Sequence, residues 1–273
     1  MKHGGHDGAQ RIADALRRAT KQRRIGLIPF LTAGYPTKEG FAKMLTEIAT
    51  VGDVVEIGVP FSDPMADGVT IQRSSESALE QGVHLQWILE TLGSLRTSIE
   101  TPLVLMSYLN PILSVGRERA DDLCDLAAMA ASLAEAGVSG LIVPDLPLEE
   151  SANLRSALDD VGVGLIQLVS PVTPQERMTE LCEASRGFVY AVTVTGITGG
   201  ASGPSSEINE YLDSIRARSP WPVCAGFGIR SRDDVKNLEG HADGAIVGSA
   251  LIECIDERRD PLKFLKEMRP EDP

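Results

Sequence analysis

Several things are scarce in this chain, and each scarcity removes a class of function. No run of roughly 18 apolar residues occurs, so no membrane-spanning helix is expected. The start, Met1 to Gln10, is polar and rich in Gly and His. Without the apolar stretch of a secretory signal it reads as a disordered tail, and the cytoplasm is the expected location. Cations are outnumbered: 26 Lys and Arg face 39 Asp and Glu, a net charge of −13. A field of that sign repels nucleic acid and anionic membrane, so neither is expected as a partner. It also repels an anionic substrate, so any phosphate site has to be local, built from backbone N–H groups or a few aimed cations. Cys124, Cys182, Cys224 and Cys254 lie too far apart for a zinc or redox motif and read as buried free thiols. His3, His6, His84 and His241 form no ligand constellation, and no metal is expected. None of the lysines, Lys2, Lys21, Lys38, Lys43, Lys236, Lys263 and Lys266, falls on a predicted strand. Imine chemistry wants a desolvated lysine in the core of a site, so a Schiff-base aldolase or a pyridoxal enzyme is disfavoured.

What is present is a repeated alternation. Eight short apolar runs read as buried parallel strands: Gly26–Phe30, Val54–Ile57, Leu103–Met106, Gly140–Val143, Gly164–Leu168, Phe188–Val192, Val223–Gly226 and Gly244–Val247. Helical patterns separate them. Phe41, Leu45 and Ile48 share one face, as do Leu85, Ile88, Leu92, Leu95 and Ile99. Thr173-Pro174-Gln175-Glu176 reads as a capping box, and Ser231 with Asp234 as another helix start. Eight strand–helix repeats in 273 residues predict a single-domain (β/α)8 TIM barrel spanning the chain behind its tail. Two insertions follow strands: a doubled helical pattern after the second, and Thr195–Ser206, rich in Gly, Ser and Thr, after the sixth. Both belong on the face where barrels carry their chemistry.

Two glycine turns sit where barrels of this kind bind phosphate. Gly226-Phe227-Gly228 follows the seventh strand; Gly248 and Ser249 follow the eighth and lead into a helix. Glycine lets the backbone approach an anion, and a helix N-terminus supplies unpaired N–H donors. Gly199 and Gly200 of the sixth loop are placed to close over the same group, or to serve only as a connector. Glu56 stands in Val54-Val55-Glu56-Ile57-Gly58 and points either into the barrel or toward the helices. Both places are apolar, so it is a structural ion pair or an acid/base with a raised pKa. Asp63 and Asp67 precede Pro and Gly, which singly is turn chemistry; beside a buried Glu a catalytic pair becomes plausible.

Taken in order, the motifs resemble those of tryptophan synthase alpha chains. Pro29-Phe30-Leu31-Thr32-Ala33-Gly34-Tyr35-Pro36 resembles the first-strand signature, and Glu56 through Gly68 the most specific motif of that family. Ser107 to Pro111, Val143 to Pro147, Thr195 to Gly199 and Gly226 to Ile229 also match, covering about Gly26 to Ala250. Val69 departs from a common Pro, and Val194-Thr195 from an Arg-containing stretch of some members' lid. The resemblance implies a carbon–carbon lyase: retro-aldol cleavage of indole-3-glycerol phosphate to indole and glyceraldehyde 3-phosphate, in tryptophan biosynthesis. It makes Glu56 the acid/base and Asp67 the acceptor of the indole N–H. Phe30, Met106, Ile142, Tyr190, Thr198 and Phe227 would line the ring; from pattern alone Met106 and Ile142 are core. Gly199, Gly228, Gly248 and Ser249 would hold phosphate. Asp63, Asn110, Pro111, Asp145 and Pro147 would meet a beta chain in a heterotetramer of two alpha and two beta chains. That partner would carry pyridoxal phosphate, with no cofactor in this chain. The alternatives are a stand-alone indole-3-glycerol-phosphate lyase and a non-catalytic interaction subunit of the same fold.

Overall fold

Every one of the eight apolar runs forms a strand, with ends displaced by no more than two residues. They are β1 (Gly26–Thr32), β2 (Val55–Gly58), β3 (Leu103–Met106), β4 (Val138–Ile142), β5 (Gly164–Val169), β6 (Val189–Val192), β7 (Val223–Gly226) and β8 (Gly244–Val247). In the computed structural model, which describes residues 7–65, 67–115, 124–192, 206–226 and 228–269, all neighbours pair in parallel and β8 returns to β1. The barrel is closed, as the repeat count predicts. The helices of the described residues are α1 (Gly8–Lys21), α2 (Phe41–Ala49), α3 (Val69–Glu80), α4 (Leu85–Leu95), α5 (Leu109–Ser114), α6 (Leu126–Glu135), α7 (Ala152–Val161), α8 (Gln175–Ala184), α9 (Ser206–Arg216), α10 (Arg232–Lys236), α11 (Ser249–Asp256) and α12 (Pro261–Met268). The doubled helix after β2 is α3 and α4. Among the described residues no helix is long and apolar enough to cross a membrane.

Because side chains alternate along a strand, each strand feeds two cores. One set, including Leu27, Leu31, Val55, Ile57, Leu105, Leu141 and Val189, packs outward against the helices. The other, including Ile28, Phe30, Val54, Val104, Ile142, Ile166, Phe188, Tyr190, Cys224 and Ile246, fills the barrel. Glu56 lies two residues from Val54, paired in register between Phe30 and Val104, and so belongs to the inner set. That decides between its two possible directions.

The floor of the barrel is closed by α1. Its Ile12, Ala15 and Leu16 join the inner core. Glycines at the strand beginnings make the room: a Cβ on Gly26 would lie 2.7 Å from Leu16 Cδ2, and one on Gly140 2.8 Å from Ile12 Cδ1. The expected tail is therefore shorter than Met1–Gln10. Asp7 caps α1, accepting from the Gln10 N–H at 3.0 Å, and Gly8 is buried with its N–H donating to the Gly162 carbonyl at 2.6 Å. A polar, glycine-bearing first turn is ordered by tertiary contact rather than by its own propensity.

Two local readings divide. Ser231 and Asp234 make the reciprocal capping box that opens α10. Thr173 does not cap α8: its hydroxyl accepts from the Ser170 N–H at 3.1 Å, closing the preceding turn, and α8 starts without a side-chain cap. Cys182, Cys224 and Cys254 are buried free thiols as expected, whereas Cys124 is half-buried.

Candidate active site

The strand ends opposite α1 open into a cavity of about 480 Å³. Glu56 and Asp67 lie on its wall. Glu56 comes straight from β2, is 1 % exposed, and has no hydrogen-bond partner for either carboxyl oxygen among the described residues. Burial, then the neighbouring Asp67 carboxylate, push its pKa up to about 8. Asp67 sits where the loop after β2 turns into α3, half-buried, its N–H bonded to the Pro64 carbonyl at 3.3 Å. Burial raises its pKa to about 6. At neutral pH the pair thus divides: one carboxyl keeps its proton and the other is ionised. Two carboxyl groups with pKa values pushed apart can act as acid and as anion in one site.

An apolar slot flanks the pair. Phe30, Met106 and Tyr190 line the cavity. A Cβ on Gly58 would lie 2.5 Å from Phe30 Cζ, so a glycine one layer above Glu56 gives that ring its place. The Tyr190 hydroxyl is held far above its usual pKa by burial and by the Glu56, Asp67 and Cys224 side chains, and it stays a neutral donor. Ile142 is fully buried and packs beneath the cavity without lining it, the core position that pattern alone indicates. Thr198, Gly199 and Phe227, and the sixth-loop stretch 193–205, lie outside the described residues.

The third part of the wall is backbone. Gly228 has a φ of 53°, a left-handed conformation that favours glycine, and it lines the cavity beside Gly248, Ser249 and Ala250. Gly248 precedes α11, whose first N–H groups have no partner within the helix. An anion placed there meets backbone donors and the positive end of the helix dipole. The cavity lining also includes Ile71, Leu168, Val192, Ile229, Arg230 and Ile246, none singled out from the sequence as site residues. Among the described residues no group of three or more His, Cys, Asp or Glu side chains is placed to hold a metal ion.

The loops beside the cavity are tied together. Phe61, after β2, stacks on Tyr108, after β3, with centroids 4.9 Å apart. The Leu109 N–H donates to Asp145, after β4, at 2.9 Å. Asp63, Asn110, Asp145 and Pro147 are exposed and Pro111 is half-buried. Met65 and Val69, 94 % and 82 % exposed, add apolar surface at the same rim.

A closed (β/α)8 barrel with two carboxyl groups of raised pKa at one wall of its mouth and unpaired helix-start backbone at another has the layout of an acid/base enzyme. Residues 16–269 match the family model for the tryptophan synthase alpha chain. Curated alpha chains from Synechococcus sp. (strain CC9902) and Roseiflexus castenholzii are 43 % and 41 % identical, aligned over 88 % and 90 % of this chain and 87 % and 92 % of theirs. A structure of tryptophan synthase from Mycobacterium tuberculosis superposes with a TM-score of 0.84 at 35 % identity, covering 94 % of this chain and 96 % of that one. The chain belongs to the tryptophan synthase alpha chain family.

Proposed function

We propose that this cavity cleaves indole-3-glycerol phosphate to indole and glyceraldehyde 3-phosphate, the carbon–carbon lyase reaction of the family. The observation that carries the reading is Glu56, a buried carboxyl with no hydrogen-bond partner among the described residues, facing a cavity whose other wall is Gly228, Gly248 and Ser249. Its proton is transferred to indole C3, which leaves the ring an electron sink with positive charge on nitrogen. The ionised Asp67 accepts the indole N–H and stabilises that charge. The hydroxyl on the carbon attached to C3 then returns a proton to Glu56 as the carbon–carbon bond breaks and its electron pair restores the aromatic ring. Protons balance, and Glu56 ends as it began. Phe30, Met106 and Tyr190 supply the slot for the ring; Thr198, Phe227 and Gly199 enter only through the family resemblance.

The same reading gives the chain a beta partner that holds pyridoxal phosphate, in an assembly of two alpha and two beta chains in the cytoplasm. The exposed rim formed by Asp63, Met65, Val69, Asn110 and Pro147 supports docking beside the cavity. A non-catalytic subunit has no need of the Glu56–Asp67 pair. Indole release from indole-3-glycerol phosphate, followed with and without beta chain, tests the proposal. Slow release alone and faster release with the partner is expected; no release in either case overturns it, and equal rates leave a stand-alone lyase.

A further inference from the structure

Arg230 is the only Arg or Lys among the described residues that line the cavity. It follows Gly228 and the buried Ile229, and its N–H is fixed by Asp234 at 3.0 Å. Its guanidinium pairs with Glu253, which lies one turn beyond Ser249 on α11. The backbone donors at Gly248 and Ser249 and the one lining cation therefore converge on the same corner. The pair is solvent-facing, with Arg230 59 % and Glu253 30 % exposed, so it binds weakly. Glu253 has a second partner in reach, the Thr70 hydroxyl at 3.4 Å, and is not stranded if Arg230 leaves. The electrostatic need is plain: the chain carries −13, and Glu56 and Asp67 face the same cavity. Uncharged N–H groups offset little of that repulsion at a distance, whereas a guanidinium offers a charge and a planar fork suited to phosphate.

We propose that Arg230 is a phosphate-specificity residue that exchanges Glu253 for the phosphate monoester of the substrate, with Glu253 as its resting partner. This inference rests on the reading of the cavity as the site of a phosphorylated substrate. No proton or bond changes hands; one ion pair replaces another.

The test combines steady-state cleavage of indole-3-glycerol phosphate with calorimetric binding of glycerol phosphate and of indole. Arg230→Met is expected to raise KM and the glycerol phosphate Kd about tenfold, with kcat within about twofold and indole binding unchanged. Arg230→Lys should recover part of the loss. Glu253→Gln, which frees the guanidinium, should tighten glycerol phosphate binding. Salt should weaken that binding more steeply in the parent than in Arg230→Met. A parent that binds and cleaves while Arg230→Met binds glycerol phosphate equally well overturns the role of Arg230 and leaves the function standing. Parallel losses for indole and glycerol phosphate assign Arg230 to the fold instead. Weaker binding in Glu253→Gln makes Glu253 an orienting partner and overturns the exchange. A parent that neither binds nor cleaves overturns the proposed function, and this inference with it.

Discussion

The Tyr190 ring occupies the space that a side chain at residue 226 would need: a Cβ built on Gly226 lies 2.3 Å from Tyr190 Cε1 and 2.5 Å from its hydroxyl oxygen. The two residues sit on adjacent strands, and Phe188 lies beneath the ring at a centroid distance of 6.1 Å. The ring has no room to retreat downward, so a methyl at 226 drives it into the cavity.

Gly226→Ala should accordingly cost about 1–3 kcal/mol of stability and raise KM for indole-3-glycerol phosphate. Trimming the ring relieves the conflict, so Gly226→Ala with Tyr190→Leu should be less destabilised than the sum of the single changes. A double-mutant cycle by denaturant unfolding checks this; strict additivity shows that the two side chains do not compete.

Glu56→Gln should lower indole release by at least ~10²-fold, because the amide cannot exchange the proton. It should also stabilise the protein. The unfolded carboxyl ionises near 4.5 and the folded one near 8, so between those values the folded state holds a proton that the unfolded state has lost. Parental stability therefore falls as pH rises through that window, by a few kcal/mol in all at roughly 1.4 kcal/mol per unit. Gln carries no such penalty. Melting curves from pH 5 to 9 should show the variant gaining on the parent as pH rises; parallel curves would mean that Glu56 ionises normally.

On the alkaline side, kcat/KM should fall as Glu56 loses its proton near pH 8. The Asp67 carboxylate contributes to that high value, though less than burial does. Asp67→Asn should consequently move the alkaline limb to lower pH while reducing the rate. An unmoved limb in a variant active enough to measure would show that the two carboxyl groups do not sense each other. The acid limb is less informative, because phosphate monoesters also titrate near pH 6.

Asp63 is exposed and accepts from the neighbouring Ser62 hydroxyl at 2.7 Å, so Asp63→Ala should leave the fold and basal cleavage unchanged. Activation by beta chain should be weaker than in the parent. Titrating beta chain into each protein decides: superimposable activation curves remove Asp63 from the coupling. Asp145 suits this test poorly, since its loss strands the Leu109 N–H.

Strand positions were readable because a parallel strand buried on both faces is a short apolar run, and Glu56 stood out as the one charge within such a run. The same property hides which residues face inward. Leu168 and Ile246 look like Leu105 and Val247, yet the first two line the cavity and the others pack against the helices. Only the closed register separates them. The Glu56–Asp67 pair and the glycine turns were legible because their residue types are costly or unusual where they stand. Arg230 was not, since an arginine after a glycine turn is ordinary surface chemistry until its cavity is known. The order of Gly8–Gln10 was invisible for a related reason: it comes from packing against strand beginnings more than 100 residues away.

The helix that stoppers the barrel floor has a further consequence for traffic. With Ile12 and Leu16 filling the far end, the described residues leave no passage below Glu56, and a molecule that reaches the carboxyl pair comes and goes by the mouth. Arrival and departure share a doorway. Whatever settles on the rim next to Phe61, Tyr108 and Asp145 controls both directions at once. A body seated on that rim therefore acts on entry and exit as a single event, and nothing on the floor side of the barrel offers a molecule of any size a second route among the described residues.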